Sequence, residues 1–167
     1  MTCILVPCDG SENALLGVRH AIVEHREQGA RIHLLNVQTP FSAHVAHHVG
    51  HEALAEYHRE RADEALAAAR RLLDEAGVTY TAHWEVGPKA ACIAAAASRL
   101  NCDRIVMGTA RKSSLVRAVE NSLTNKLIER SHVPVELIAG APASTLERVG
   151  IPAGVGAGLA ILWMGAA

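Results

Sequence analysis

Short, wholly apolar runs alternate with longer amphipathic ones along this chain. "CILVPC", Cys3 to Cys8, is apolar throughout and ends at Asp9-Gly10, which predicts a strand buried on both faces. Ser11 then caps a helix reaching about Gln28, where Gly29 stops it. "RIHLLNV" is a second strand, closed by Pro40. A long helix from about Glu52 to Ala76 follows. Leu54, Ala65, Leu66, Ala69 and Leu72 supply its apolar stripe, and Gly77 ends it. "VTYTAHWEV" alternates as a third strand, and Gly87-Pro88 opens a third helix with proline at its first position. "RIVMG" predicts the fourth strand, Leu115 to Arg130 a fourth helix, and "VPVELI" the fifth strand.

Strands that alternate with helices imply βαβ units, and therefore a doubly wound, open, parallel five-stranded sheet of Rossmann-like type. Ligands of such sheets sit outside the carboxyl ends of the strands, where the strand order reverses. Two segments are placed for that edge: "PCDGS" after the first strand and "MGTARKSS" after the fourth. The second opens the stretch "GTARKSSLVRAVENSLTN", Gly108 to Asn125, a strand-to-helix turn of the kind that presents free N–H groups to an anion.

Composition removes several classes of function. The 167 residues suffice for one domain with a real core, and 50% of them are apolar, which excludes a disordered chain. A net charge of −1 and 3% aromatic residues give neither the basic field nor the stacking surface of a nucleic-acid binder. Cys3, Cys8, Cys92 and Cys102 form no CxxC pair and have no zinc-finger spacing, so reduced, buried thiols in a cytoplasmic protein are expected. The amino terminus has neither the basic region nor the cleavage site of a signal peptide.

In "ILVPCDGSENA", "LLNVQTP" and "DRIVMGTARKSSLVRAVENSLTNKLIERSHVPVELI", taken in this order, the chain resembles the universal stress proteins over roughly residues 2 to 139. The resemblance implies strand order 3-2-1-4-5, a fold like that of the adenine nucleotide alpha hydrolases, and a homodimer formed through the last strand (Val133, Val135, Leu137). It also implies a regulatory or protective role without catalysis. Members that bind ATP carry a loop of the form G-x2-G-x9-G-[ST]. On this chain the loop starts at Gly108, its second glycine falls on Arg111, its third on Asn121 and its hydroxyl on Ser122. An intermediate glycine of many members is Ser114 here. Gly108, Thr109 and Ser122 are kept, Asp9 matches the acidic residue at the nucleoside end, and Val37 matches the position whose backbone meets adenine.

A Cβ at a glycine position narrows the space for a triphosphate, whereas Arg111 and Lys112 add cations there. Weakened or lost ATP binding is the expectation, and a retained ATP or AMP sensor is the alternative. Catalysis is disfavoured: no histidine is placed in sequence to activate a serine, there is no G-x-S-x-G elbow and no paired carboxylate set in an apolar pocket, and "GVGAG" (Gly154 to Gly158) follows no clear strand.

Two features stand apart. His44, His47, His48, His51 and His58 recur at helical spacing within a stripe about 100° wide, and i,i+4 pairs among them could chelate zinc or nickel. A solvated or pH-responsive face is the plainer expectation. The chain also divides into an α/β domain at 1–140 and a tail at 141–167. Ser144 and Glu147 suggest a short capped helix there, and Val149 to Ala167 carry no charge. As a helix those last residues would span about 28 Å, but Pro152 and five glycines favour packing on the domain or a partner subunit over a bilayer.

Overall fold

The computed structural model describes residues 2–42, 48–109 and 123–139. Five strands form one parallel sheet: β1 (Cys3–Pro7), β2 (Arg31–Gln38), β3 (Tyr80–Val86), β4 (Arg104–Thr109) and β5 (Val135–Ala139). Their spatial order is β3-β2-β1-β4-β5, the doubly wound order expected. Three helices connect them: α1 (Glu12–Gln28), α2 (His51–Glu75) and α3 (Lys89–Arg99); residues 123–130 are also helical.

β1, β2 and β4 carry the buried positions, so the two-residue alternation sends neighbours on them to different cores, whereas the outer strands β3 and β5 hold only partly buried and exposed residues. Ile4, Val6, Ile32 and Leu34 pack with Val18 of α1 and with Leu66 and Leu73 of α2. Cys3, Leu5, Leu35 and Ile105 pack with Ile93 and Ala97 of α3 and with Leu127. Truncating one such fully buried leucine or isoleucine to alanine costs about 2–5 kcal/mol.

Local chemistry sets the ends of α1. The Ser11 hydroxyl accepts from the Ala14 N–H at 3.3 Å, and Gly29 closes the helix in the left-handed region, φ 67°, donating to the His25 carbonyl at 2.8 Å. Gly10 makes the turn between β1 and α1 at φ 85°, a conformation costly for any residue with a Cβ.

Several boundaries differ from expectation. Pro88 is the extended N-cap of α3, not its first helical residue. Gly50 is likewise extended (φ −60°, ψ 146°) and caps α2, so His48 precedes the break while His51 and His58 follow it. No single helix carries the histidine stripe. Pro134 stands just outside β5 and contributes only its carbonyl, which accepts from Ile105 N–H at 2.9 Å. The expected helix from Leu115 is described only over 123–130, and the predicted tail helix lies outside the described residues.

Candidate functional site at the carboxyl edge

Strand order reverses between β1 and β4; α1, which follows β1, packs on one face of the sheet, and Leu123 and Leu127 pack on the other. Asp9 follows the end of β1, and Gly108 and Thr109 end β4, so three of the residues singled out in the sequence meet at this switch point. The Asp9 Oδ1 accepts from the Ser11 N–H at 3.0 Å, holding the turn. Partial desolvation alone would raise its carboxyl pKa. Hydrogen bonds from Ser11 and the backbone, with the nearby Lys89 ammonium, outweigh that and lower it below its ordinary value.

Val37 is reached through the ladder. Leu35 turns its carbonyl to Cys8 N–H (2.8 Å), and Gln38 turns its carbonyl to Gly87 N–H on the β3 side (2.8 Å). Alternation therefore turns the Val37 backbone toward the β1 side, beyond Pro7, where that strand has ended. The Val37 side chain itself is buried.

Between these groups lies an open cleft with an apolar floor of Leu35, Val37, Ile93, Met107 and Leu123 and with Asp9 and Lys89 as its charged groups. Cys8 also lines it, its thiol pushed up to about 12, first by burial and then by the Asp9 charge, so it stays protonated near neutrality. On one side the cleft continues past Asp9 to Asn13, Thr109 and Thr124; on the other it reaches Gln38, Phe41, Tyr57, His58 and Arg61.

Two side-chain bonds hold the wall at Gln38. His58 Nδ1 and Gln38 Oε1 are 2.8 Å apart, while Gln38 Nε2 donates to the His58 carbonyl at 2.8 Å. The Phe41 ring lies 5.2 Å from the His58 ring. His58 is thus a buried structural residue and no part of a solvated stripe. Of the other proposed metal ligands, His48 and His51 are exposed on either side of the Gly50 break, while His44 and His47 lie outside the described residues. Arg111, Asn121 and Ser122 lie outside them as well.

Sequence reasoning missed Lys89, which lines three adjoining clefts, and Arg61. Lys89 carried a usable signal: it is the first helical residue after a strand, at the edge where helix N-termini attract anions.

The geometry defines an open α/β protein whose binding edge sits at a strand-order switch, with one acidic and one basic group beside an apolar slot. A family model for the universal stress proteins matches residues 1–138, and the chain belongs to that family. A universal stress protein of Methanocaldococcus jannaschii is 31% identical over 137 residues, covering 81% of this chain and 80% of its own. Among solved structures, a universal stress family protein from Burkholderia pseudomallei superposes with TM-score 0.63 at 23% identity, covering 82% of this chain and 95% of its own. An Arabidopsis thaliana family member solved with AMP bound gives TM-score 0.61 at 16% identity over 84% of this chain and 93% of its own.

Proposed function

We propose that this protein is a non-catalytic, cytoplasmic regulatory module that takes an adenosine monophosphate at its carboxyl edge and holds ATP weakly or not at all. One contrast carries the reading. Asp9, the cleft-facing Val37 backbone and an apolar slot lie together at the edge, as a nucleoside would need, whereas two glycine positions of the family's polyphosphate loop are Arg111 and Asn121. A base and ribose need the first half, and a triphosphate lying close to the backbone needs the second. Lys89 supplies a cation suited to a single phosphate. The AMP carried by the Arabidopsis relative is consistent with this division.

Calorimetry with AMP and with ATP plus magnesium tests the reading. AMP should bind at least tenfold more tightly than ATP, and ATP no more tightly than about 100 μM, equivalent to roughly 5.5 kcal/mol. Arg111→Gly with Asn121→Gly should improve ATP binding. Micromolar ATP affinity in the unaltered chain would make the protein an ATP sensor instead.

The same module is proposed to work as a homodimer through β5. That strand ends the sheet, and Leu137 on it is 45% exposed. Among the described residues no strand pairs with its outer side, and an edge of this kind favours pairing with a second copy. No helix among the described residues is long and apolar enough to cross a membrane.

A further inference from the structure

At the end of the sheet opposite the nucleotide cleft, two thiols that are far apart in sequence are brought together. Cys3 opens β1 and Cys102 stands just before β4, and their Sγ atoms are 3.1 Å apart, the Cys3 thiol donating to Cys102. Both are buried, at 0% and 4% exposure. The backbone holds them there. Cys3 N–H donates to Asp103 Oδ2 (2.7 Å), Asp103 N–H donates back to the Cys3 carbonyl (2.8 Å), and Cys102 N–H donates to Ala97 of α3 (2.9 Å). His33, on the neighbouring β2, completes the group. One of its ring nitrogens and the two sulfur atoms all lie within 4.8 Å of one another. Its Nδ1 is 3.0 Å from His83 Nε2 on β3, which leaves Nε2 as the nitrogen for the thiols.

We propose that Cys3, Cys102 and His33 form a site for a soft divalent cation of the zinc class, held in place by His83. Two sulfurs and an imidazole are the donor set such a cation selects. A tetrahedral ion with Zn–S bonds of about 2.3 Å sets its sulfurs about 3.8 Å apart, so the thiols need to separate by only roughly 0.7 Å. Two thiolates and a neutral imidazole around a dication sum to zero charge, which suits the burial. Binding exchanges the two thiol protons for the ion and releases both. The fourth position is left to water.

His83 acts as the positioning residue. With the metal on His33 Nε2, Nδ1 keeps its proton and donates it to His83 Nε2, fixing tautomer and ring orientation. Burial first, then the hydrogen bond with Cys3, pushes the Cys102 thiol up to about 12, so it is the incoming dication that must displace its proton. His33 is only partly buried, so the site is not sealed from solvent on that side.

The full-length reduced protein should be titrated with cobalt(II) and then with competing zinc. One equivalent of cobalt should produce a thiolate-to-metal charge-transfer band, which zinc abolishes, with about two protons released per ion. Cys3→Ser and Cys102→Ser should lose the band, and His83→Ala should weaken affinity about 10- to 100-fold. His33→Gln, at a half-exposed position, should weaken it further and keeps the test decisive if either serine variant fails to fold. Cys8→Ser, Cys92→Ser and His44→Ala with His48→Ala should bind as the parent does. A band that survives in folded His33→Gln, a site abolished by the His44 and His48 changes, or a reduced chain that takes up no metal and instead forms a Cys3–Cys102 disulfide in air would each overturn the proposal.

Discussion

A Cβ placed on Gly108 would collide with the carbonyl oxygen of Asn13. The end of β4 and the first turn of α1 touch backbone to backbone, and Gly17 one turn later lies close to Val106 and Gly108 in the same way. Packing of α1 on the sheet therefore requires glycine at 108, whatever the loop beyond it binds. Its presence in the family loop position is weak support for a polyphosphate site.

Gly108→Ala should accordingly destabilise the fold by about 3 kcal/mol or more, read as a lowered urea midpoint with an unchanged slope. Gly29→Ala is the comparison. Nothing lies within 4 Å of its Cβ position, so only the positive φ is penalised, at about 1 kcal/mol. Equal losses at the two positions would show that the α1–β4 contact relaxes freely.

The reciprocal bonds between Gln38 and His58 tie the end of β2 to α2. Removing either partner leaves buried polar groups unsatisfied, so Gln38→Ala and His58→Ala should each cost about 1–3 kcal/mol. Their double-mutant cycle should show coupling of about 1 kcal/mol, measured by chemical denaturation. Simple additivity would mean that the Gln38–His58 bonds contribute nothing and that His58 acts through its packing with Phe41.

Those two residues also mark where the sequence stopped being legible. Strand positions follow from apolar runs bounded by Asp9-Gly10, Pro40 and Gly87-Pro88, and the edge bearing Asp9 and Gly108 follows from where the runs end. His58 fits a helical stripe by spacing, yet it is buried, because only the fold brings Phe41 and Gln38 over it. Gly50 splits the same stripe through its own backbone angles, which periodicity does not report. Cys3 and Cys102 are 99 residues apart, and no local spacing rule pairs them. Strand order β2-β1-β4 makes them neighbours.

Asp9 gives a pH signature. Its carboxyl has a lower pKa folded than its ordinary 3.8, so it adds stability above that value, lost as pH falls through the lower folded one. Asp9→Asn should lose the acid-side part of the stability profile between about pH 2 and 5 and match the parent's slope near neutrality. Urea midpoints across that range check it. Parallel profiles would mean that solvent screens the Ser11 and Lys89 interactions. At neutral pH the same variant should weaken AMP binding if the carboxylate meets the ribose.

The β5 edge allows dimer formation to be separated from folding. Val133 and Val135 pack against the core shared with α3, whereas Leu137, on the same face two residues on, is 45% exposed beside Met107 of β4. A charge at Val135 therefore disturbs the monomer as well as any seam, but a charge at Leu137 meets water in an isolated chain. If a second copy pairs along this edge, Leu137→Asp places two carboxylates at a two-fold contact, where like charges and lost apolar burial act together. Light scattering should show a dimer for the unaltered protein and a monomer for Leu137→Asp, with the melting temperature of dilute samples little changed. Val135→Asp should lose both the dimer and several degrees of stability. A Leu137→Asp protein that remains dimeric would place the interface away from β5.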